Sequence, residues 1–233
     1  SLGIARRIGL EDTPLAHDGV VLCSFGDASA NHSTAQGAIN TAAWAAFQGT
    51  PLPLVFLCED NGIGISTRTP QGWIEANFSG RAGLHYIQCD GSDLVDAWRG
   101  ARDAVDYARR HRKPVFLHMR TVRLYGHAGN DVQLVYLSKD DIRRDEERDP
   151  LLSSAALLIE EGVMTAADVR REYDAIEASL LRQVELAIRR PKLKDAVEVM
   201  ASIVPPKREG VERPVPAASA RAALFADDAA QME

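Results

Sequence analysis

No apolar run in this chain approaches the ~20 residues needed to cross a bilayer, and the N-terminus lacks the basic and then apolar order of a signal peptide. The sequence therefore predicts no membrane partner. Cysteine is scarce as well: Cys23, Cys58 and Cys89 form an odd set, and each lies in or beside an apolar run, where cysteine acts as a small buried hydrophobe. We expect no disulfide framework and a reducing compartment, which is the cytoplasm, or the mitochondrial matrix if the source is eukaryotic.

An excess of basic charge is also missing. The 27 lysines and arginines are outnumbered by 33 aspartates and glutamates, which gives a formal net charge of -6. No basic stretch is interleaved with aromatic residues, so the pattern typical of nucleic-acid binding is absent. Nucleic acid is therefore not an expected partner.

Several catalytic motifs are absent too. The sequence has no HExxH string and no histidine or cysteine pair with the spacing of a transition-metal site. It has neither a Walker lysine motif nor a GxSxG elbow, which argues against P-loop and serine-hydrolase chemistry. Gly62-Ile63-Gly64 is similar to the start of a glycine-rich nucleotide loop, but the later glycine and the acidic residue after the next strand are missing. A nicotinamide-dependent dehydrogenase is therefore not predicted.

What the sequence does contain is an alternation of short apolar runs and amphipathic segments. Two segments predict helices, one over 35–47 capped by Ser33-Thr34 and one over 94–111 capped by Ser92-Asp93. Strands that alternate with such helices favour an α/β fold, a parallel sheet flanked by helices and joined by right-handed crossovers. The runs that predict buried parallel strands are 20–25, 54–58, 84–89 and 114–119.

A change of pattern divides the chain into three parts. Residues 1–150 are predicted to form the α/β domain, 151–204 a helical C-terminal extension, and 205–233, rich in proline and alanine, a linker. The first residues show an apolar helical pattern with no start signal and no Met. We therefore expect the α/β domain to lack its N-terminal part and the chain to be a fragment of a longer polypeptide.

Small and polar residues follow the first two predicted strands directly. Gly26-Asp27-Ala28-Ser29 comes after the first, and Asp60-Asn61-Gly62 comes after the second. Either motif alone is a common turn signal, but the carboxyl ends of parallel strands line one crevice. The Asp27 carboxylate and the Asn61 amide are therefore predicted to share one Mg²⁺, with the carbonyl of Ile63 as a further ligand. Mg²⁺ often binds phosphates as well, and the start of the following helix favours a diphosphate there.

A loop after the fourth predicted strand carries Arg123 and His127, with Gly126 between them. The loop should leave the same edge of the sheet. Arg123 can donate charge-assisted hydrogen bonds to phosphate oxygens, and His127 can donate one and move protons near neutral pH. They are the predicted catalytic residues. Of the other histidines, His32 is interpreted as a neighbour of a helix cap, and His85, His111 and His118 are interpreted as structural.

With these residues in place, the segment 23–150 resembles the α subunit of thiamine diphosphate-dependent 2-oxo acid dehydrogenases, the decarboxylating component of the pyruvate and branched-chain complexes. Phe25-Gly26-Asp27-Ala28 is similar to the first half of that family's cofactor motif, a Gly-Asp-Gly followed further on by Asn-Asn. The run from Asp60 to Thr67 resembles the second half, including the Asn-Gly-Tyr-Ala-Ile-Ser-Thr string of branched-chain members. The run from Arg123 to His127, with Asp131 and Tyr136 beyond it, resembles the family's ordering loop.

The resemblance implies a fold, cofactors and site residues. The fold is the diphosphate-binding domain of the thiamine diphosphate-binding fold, and the cofactors are thiamine diphosphate and Mg²⁺. Asp27, Asn61 and the carbonyl of Ile63 would bind the metal, while Arg123 and His127 would contact the diphosphate and serve the reacting centre. The implied cofactor-binding residues are Gly26, Asp27, Ala28, Ser29, Asn61, Ile63, Gly64, Arg123 and His127.

The resemblance also implies a reaction and partners. The reaction would be oxidative decarboxylation of a 2-oxo acid, branched-chain ahead of pyruvate, with transfer of the acyl group to a lipoyl group on an acyltransferase partner. The glutamate that activates the aminopyrimidine belongs to a β subunit or a β-like domain, so the chain alone would be inactive. A site shared in this way implies a dimer of αβ units.

The sequence departs from the family's cofactor motif at two positions. Ala28 replaces the third glycine of the first motif, and Asp60 replaces the first asparagine of the second. Neither change removes a proposed ligand. Both leave open a second class of function, a degenerate diphosphate-binding module with a regulatory or scaffolding role. A transketolase-like enzyme with the same cofactor also stays open, although it would not share the loop from Arg123 to His127.

Overall fold

The structure is a computed structural model, and it describes residues 18–203. The strands are β1 (Val21–Gly26), β2 (Leu54–Asp60), β3 (Ile63–Gly64), β4 (Thr67–Arg68), β5 (His85–Asp90) and β6 (Val115–Arg120). The helices are α1 (Ser33–Phe47), α2 (Trp73–Phe78), α3 (Leu94–His111), α4 (Lys139–Glu146), α5 (Pro150–Glu160), α6 (Ala166–Ile188) and α7 (Ala196–Met200). The predicted strands and the two predicted helices between them are confirmed to within about two residues at their ends.

The main sheet has four parallel strands in the order β1-β2-β6-β5, and β3 and β4 form a separate antiparallel hairpin. Gly26 lies opposite Glu59, and Asp60 and Asp90 both lie opposite Arg120. The carboxyl ends of all these strands therefore meet at one edge of the sheet. This arrangement confirms the predicted α/β fold.

Helices cover the sheet on both faces, because successive side chains of a strand point to opposite sides. The cluster on one face joins the sheet to α1 and α2, and its buried members include Ile39, Phe56, Ile74, Phe78 and Phe116. The cluster on the other face joins the sheet to α3, and its members include Val55, Ala104, Ala108, Val115 and Leu117. The short helix α2 was not predicted, although it supplies two of these buried side chains.

The starts of the two predicted helices differ in how well the sequence revealed them. Asp93 caps α3 as predicted, and its Oδ1 accepts hydrogen bonds from the Val95 and Asp96 N–H groups at 2.8 and 3.0 Å. The predicted Ser33-Thr34 cap of α1 is wrong. The cap is His32, whose Nδ1 accepts from the Thr34 N–H at 3.2 Å, so the helix already includes Ser33.

Beyond residue 150 the described chain is helical, which confirms the predicted helical extension, although α7 is shorter than its pattern suggested. The chain divides into two compact units between Tyr173 and Asp174, inside α6. The domain limits drawn from the sequence at 150 and 204 stay predictions, and both the linker 205–233 and the N-terminal residues 1–17 lie outside the described residues. Between residues 18 and 203 no helix has the length and apolar character needed to cross a membrane.

The phenylalanine stack in the α1 and α2 cluster gives a test of the fold. Phe116 is fully buried, and its ring centroid lies 4.1 Å from that of Phe78 and 6.1 Å from that of Phe25. Phe116→Ala should lower the free energy of unfolding of the intact protein by about 3–5 kcal/mol, measured by urea unfolding. Asp93→Ala, which removes a helix cap but no core volume, should cost about 1 kcal/mol. Equal losses in the two variants would contradict this account of the core.

Candidate active site

The structure brings the predicted site residues together at the carboxyl edge of the sheet. Asp27 follows β1, Asn61 follows β2, and the loop with Arg123 and His127 follows β6. Every residue implied as cofactor-binding lines one cavity of about 970 Å³: Gly26, Asp27, Ala28, Ser29, Asn61, Ile63, Gly64, Arg123 and His127. Their common placement is a fact of the structure, and their binding roles stay predictions.

Asp27 is buried although it lies at the edge of the sheet, with 2% of its surface exposed. Its Oδ2 accepts a hydrogen bond from the Thr69 hydroxyl. Burial raises the pKa of the Asp27 carboxyl and the charge of Asp60 acts in the same direction, while the Thr69 hydrogen bond opposes both. Burying a charge without an opposite one is costly, so a cation beside Asp27 would stabilise the carboxylate.

The turn after β2 fixes the second proposed ligand. Oδ1 of Asp60 accepts from the Gly62 N–H and Oδ1 of Asn61 accepts from the Ile63 N–H, both at 3.1 Å. Gly62 has a φ of +75°, a conformation that glycine adopts without strain. An amide oxygen has two lone pairs, so Oδ1 of Asn61 retains one acceptor site for a cation.

Hydrogen bonds hold the Arg123 side chain in the cavity wall. Nη1 donates to the Ile65 carbonyl at 2.7 Å, and Nη2 donates to the Tyr136 hydroxyl at 2.8 Å. The Tyr136 hydroxyl donates in turn to Oδ2 of Asp131 at 2.6 Å, and the same oxygen accepts from the His127 N–H at 2.6 Å. The Tyr136 hydrogen bond lowers the pKa of the Asp131 carboxyl. One network therefore orders the Arg123 side chain and the backbone at His127.

The Nε of the Arg123 guanidinium takes no part in this network. It is buried and has no hydrogen-bond partner within the described chain. An unpaired buried donor is unfavourable, and a guanidinium suits the geometry of phosphate oxygens. The side chain is thus positioned for an anion that enters the cavity.

The same region does not offer a conventional all-protein metal cage. Across residues 18–203 no group of three or more histidine, cysteine, aspartate or glutamate side chains is placed to hold a metal ion. The candidate ligands are instead the Asp27 carboxylate, the Asn61 amide and the Ile63 carbonyl. Such a set suits Mg²⁺, which typically keeps several bound waters and also binds the phosphate oxygens of a substrate or cofactor.

Sequence reasoning missed several partners in the site. Thr69, which lies 42 residues from Asp27, reaches it because β3 and β4 fold back towards the sheet edge, and no local pattern reveals that contact. Asp131 and Tyr136 were named by family resemblance but without a role. His32, predicted to neighbour a cap, is the cap itself and also lines the cavity.

Ala28, the first departure from the family's pattern, packs against Gly64 in the cavity wall. A Cβ added at Gly64 would lie 2.4 Å from the Ala28 Cβ, which is closer than real Cβ atoms approach. The methyl group at position 28 therefore takes the space that a side chain at position 64 would need. Glycine on β3 is what makes alanine acceptable after Asp27.

With this geometry in place, comparison with known proteins identifies the family. The chain matches the family model described as "Dehydrogenase E1 component" over residues 13–198. It therefore belongs to the dehydrogenase E1 component family of thiamine diphosphate-dependent 2-oxo acid dehydrogenases, which confirms the resemblance seen in the sequence.

Particular relatives are α subunits. The chain is 28% identical over 168 residues to the human "Pyruvate dehydrogenase E1 component subunit alpha, testis-specific form, mitochondrial", covering 68% of this chain and 42% of that protein. It is 30% identical over 160 residues to the pyruvate dehydrogenase α subunit of Rhizobium meliloti, covering 66% and 44%. It is 31% identical over 133 residues to the mitochondrial 2-oxoisovalerate dehydrogenase α subunit of Caenorhabditis elegans, covering 56% and 30%.

The chain spans about half the length of the curated relatives it matches, 42% of the first and 54% of the second. A crystal structure of a Pichia stipitis transketolase mutant is similar with a TM-score of 0.37 and 19% identity, over 78% of this chain and 27% of that one. Similarity at that level adds nothing to the assignment, which stands on the family match.

The contact between Ala28 and Gly64 can be tested by a double-mutant cycle. Gly64→Ala should lower the free energy of unfolding of the intact protein by about 1–3 kcal/mol, because it forces two methyl groups into one space. Adding Ala28→Gly should recover most of the loss, and urea unfolding of the four proteins gives the coupling energy. Additive costs in the double variant would show that the two positions do not compete for space.

Proposed function

We propose that the intact protein catalyses the oxidative decarboxylation of a 2-oxo acid and that this chain provides its diphosphate-binding half. One observation carries the proposal: in a chain of the E1 family, the whole predicted cofactor motif lines a single cavity. The loop with Arg123 and His127 lines the same cavity, which supports a role for it beside the phosphates.

The residues present fit thiamine diphosphate and Mg²⁺. The buried Asp27 carboxylate is adjacent to a second carboxylate rather than to a cation, and the buried Nε of Arg123 is unpaired within residues 18–203. One group calls for a cation and the other for an anion. A magnesium-bound diphosphate supplies both.

We assign the roles as follows. The Asp27 carboxylate, the Asn61 amide oxygen and the Ile63 carbonyl would hold Mg²⁺. Arg123 and His127 would hold phosphate oxygens. Small residues would let the diphosphate approach the main chain, and these are Gly26, Ala28, Ser29 and Gly64.

Thiamine diphosphate, when bound, supplies the electron sink that makes loss of carbon dioxide possible. The chain's own residues would neutralise the charges of Mg²⁺ and of the diphosphate and would position both. Arg123 is held by hydrogen bonds to the Ile65 carbonyl and the Tyr136 hydroxyl, so little side-chain freedom would be lost when it meets a phosphate. The exposed imidazole of His127 can hold or release a proton near neutral pH at the reacting centre.

We further propose the substrate and the partners. A branched-chain 2-oxo acid is placed ahead of pyruvate, because the run from Asp60 to Thr67 resembles the branched-chain string. A β subunit or β-like domain would supply the glutamate that activates the aminopyrimidine, and the acyl group would pass to the lipoyl group of an acyltransferase. The assembly would be a dimer of αβ units, in the cytoplasm or, in a eukaryote, in the mitochondrial matrix.

The first test is binding by the intact assembly. Calorimetry should show Mg²⁺-dependent binding of thiamine diphosphate. Loss of a residue that only supports a metal ligand weakens binding by roughly 10–100-fold. Asp27 is proposed as a ligand itself, so Asp27→Ala should weaken thiamine diphosphate binding by more than that. Asp103→Ala is the matched control, because that carboxylate is exposed on α3 beside Arg102 and should leave binding unchanged.

Two results would contradict the proposal. The intact assembly could fail to bind thiamine diphosphate, or Asp27→Ala could bind it as tightly as the wild type. Either would favour the degenerate regulatory or scaffolding module that Ala28 and Asp60 leave open.

The second test concerns the reaction. The complete protein should decarboxylate 2-oxoisovalerate with a kcat/KM at least ~10-fold above that for pyruvate, since an apolar pocket gains roughly 10–200-fold per methylene. Acylation of a lipoyl domain should accompany turnover and can be followed by mass spectrometry. A higher kcat/KM for pyruvate would reverse the proposed substrate order, and ketol transfer between sugar phosphates without lipoyl acylation would indicate the transketolase-like alternative.

A further inference from the structure

Three polar side chains from three neighbouring strands form a connected chain behind the metal-binding turn. The Tyr86 hydroxyl on β5 lies 2.7 Å from Nδ1 of His118 on β6. Nε2 of His118 lies 2.8 Å from Oδ2 of Asp60 at the end of β2. His118 is 3% exposed, so the middle of this hydrogen-bonded chain is buried.

The sheet register makes this hydrogen-bonded chain possible. Tyr86 lies opposite Phe116, and His118 lies opposite both Cys58 and Gln88. Residues two apart on a strand share a face, so Tyr86, His118 and Asp60 all point to the face covered by α1 and α2. They are not an incidental contact between loops.

The hydrogen-bonded chain ends at the Asp60 carboxylate, whose two oxygens accept from different donors. Oδ2 of Asp60 accepts from His118, while Oδ1 accepts from the Gly62 N–H at 3.1 Å. Hydrogen bonds therefore fix the Asp60 side chain from both sides, and it holds the turn at Gly62 in place.

That turn contains the side chain of Asn61 and precedes the carbonyl of Ile63, the two proposed ligands that follow β2. Neither His118 nor Tyr86 lines the cavity with the cofactor motif. Without the His118 bond, the Asp60 carboxylate could rotate away from the Gly62 N–H and loosen the turn. Hydrogen-bonded partners of this kind commonly orient the groups that bind a metal.

We propose that His118 and Tyr86 are positioning residues for Mg²⁺, acting through Asp60 on the turn that carries Asn61 and Ile63. The inference rests on the proposed function, because it assigns the support of the same metal site. It also gives a physical reason for the second departure from the family's pattern. An aspartate is accommodated at position 60 because a buried imidazole donates to it.

The test separates metal positioning from general stability. In the intact assembly with thiamine diphosphate in excess, Mg²⁺ is titrated by calorimetry and Tm is measured in parallel. His118→Leu should weaken Mg²⁺ binding by roughly 10–100-fold. His118→Gln, which can place an N–H donor towards Asp60, should restore most of that affinity, and Tyr86→Phe should give a smaller loss.

The control is His85→Leu. His85 also lies on β5, but it stacks on Tyr107 at 3.8 Å and has no contact with the turn in the structure. It should lower Tm while leaving the Mg²⁺ affinity unchanged.

The inference is overturned if His118→Leu lowers Tm as the control does but binds Mg²⁺ like the wild type, or if His118→Gln binds as poorly as His118→Leu. Should His118→Leu not fold, Tyr86→Phe decides, and wild-type Mg²⁺ affinity in that variant overturns the proposal. A wild-type assembly that binds no Mg²⁺ with thiamine diphosphate overturns the proposed function itself. Failure of the proposed function is thus distinguished from failure of this inference, because it is seen with the wild type before any variant is compared.

Discussion

The parallel pairing of β1 with β2 determines where the rest of the site lies. Gly26 faces Glu59 across the two strands, so the residues that follow, Asp27 and Asn61, leave the sheet at the same edge. Register in a sheet is strict, because a slip of one residue turns every side chain of a strand to the other face. The buried contacts of Val55 and Phe56 on opposite faces hold that register. Core packing and site assembly are therefore one constraint.

Asp27 and Asp60 carry the same carboxyl group at this edge of the sheet, but their surroundings shift its pKa in opposite directions. Burial raises the pKa of Asp27, while the His118 hydrogen bond lowers the pKa of Asp60. The Asp60 carboxylate accepts from His118 and the Gly62 N–H, whereas at Asp27 the effects of burial and of the Asp60 charge outweigh the Thr69 hydrogen bond. The Arg123 network in the same cavity is the complementary case, a cation held by two hydrogen bonds with one donor unpaired within the described residues.

Short-range patterns predicted much of this molecule. Apolar runs revealed the four strands of the main sheet, Asp93 revealed the start of α3, and the motifs around Asp27 and Asn61 indicated the edge where the site lies. The contacts that fix the site are long-range, and Thr69 reaches Asp27 only after a hairpin has formed. The bond between His118 and Asp60 depends on strand order, which no single strand encodes. His32 was missed as a cap because serine and threonine are the commoner caps and followed it directly.

The close packing of Ala28 against Gly64 restricts the order in which this wall can change during evolution. Alanine at both positions would bring two Cβ atoms to 2.4 Å, so moving the methyl group from one position to the other through that state carries the cost of the clash. The other route passes through glycine at both, which leaves a gap and a freer backbone beside the cavity. A lineage that exchanges these residues must therefore first tolerate either a clash or a looser cofactor wall.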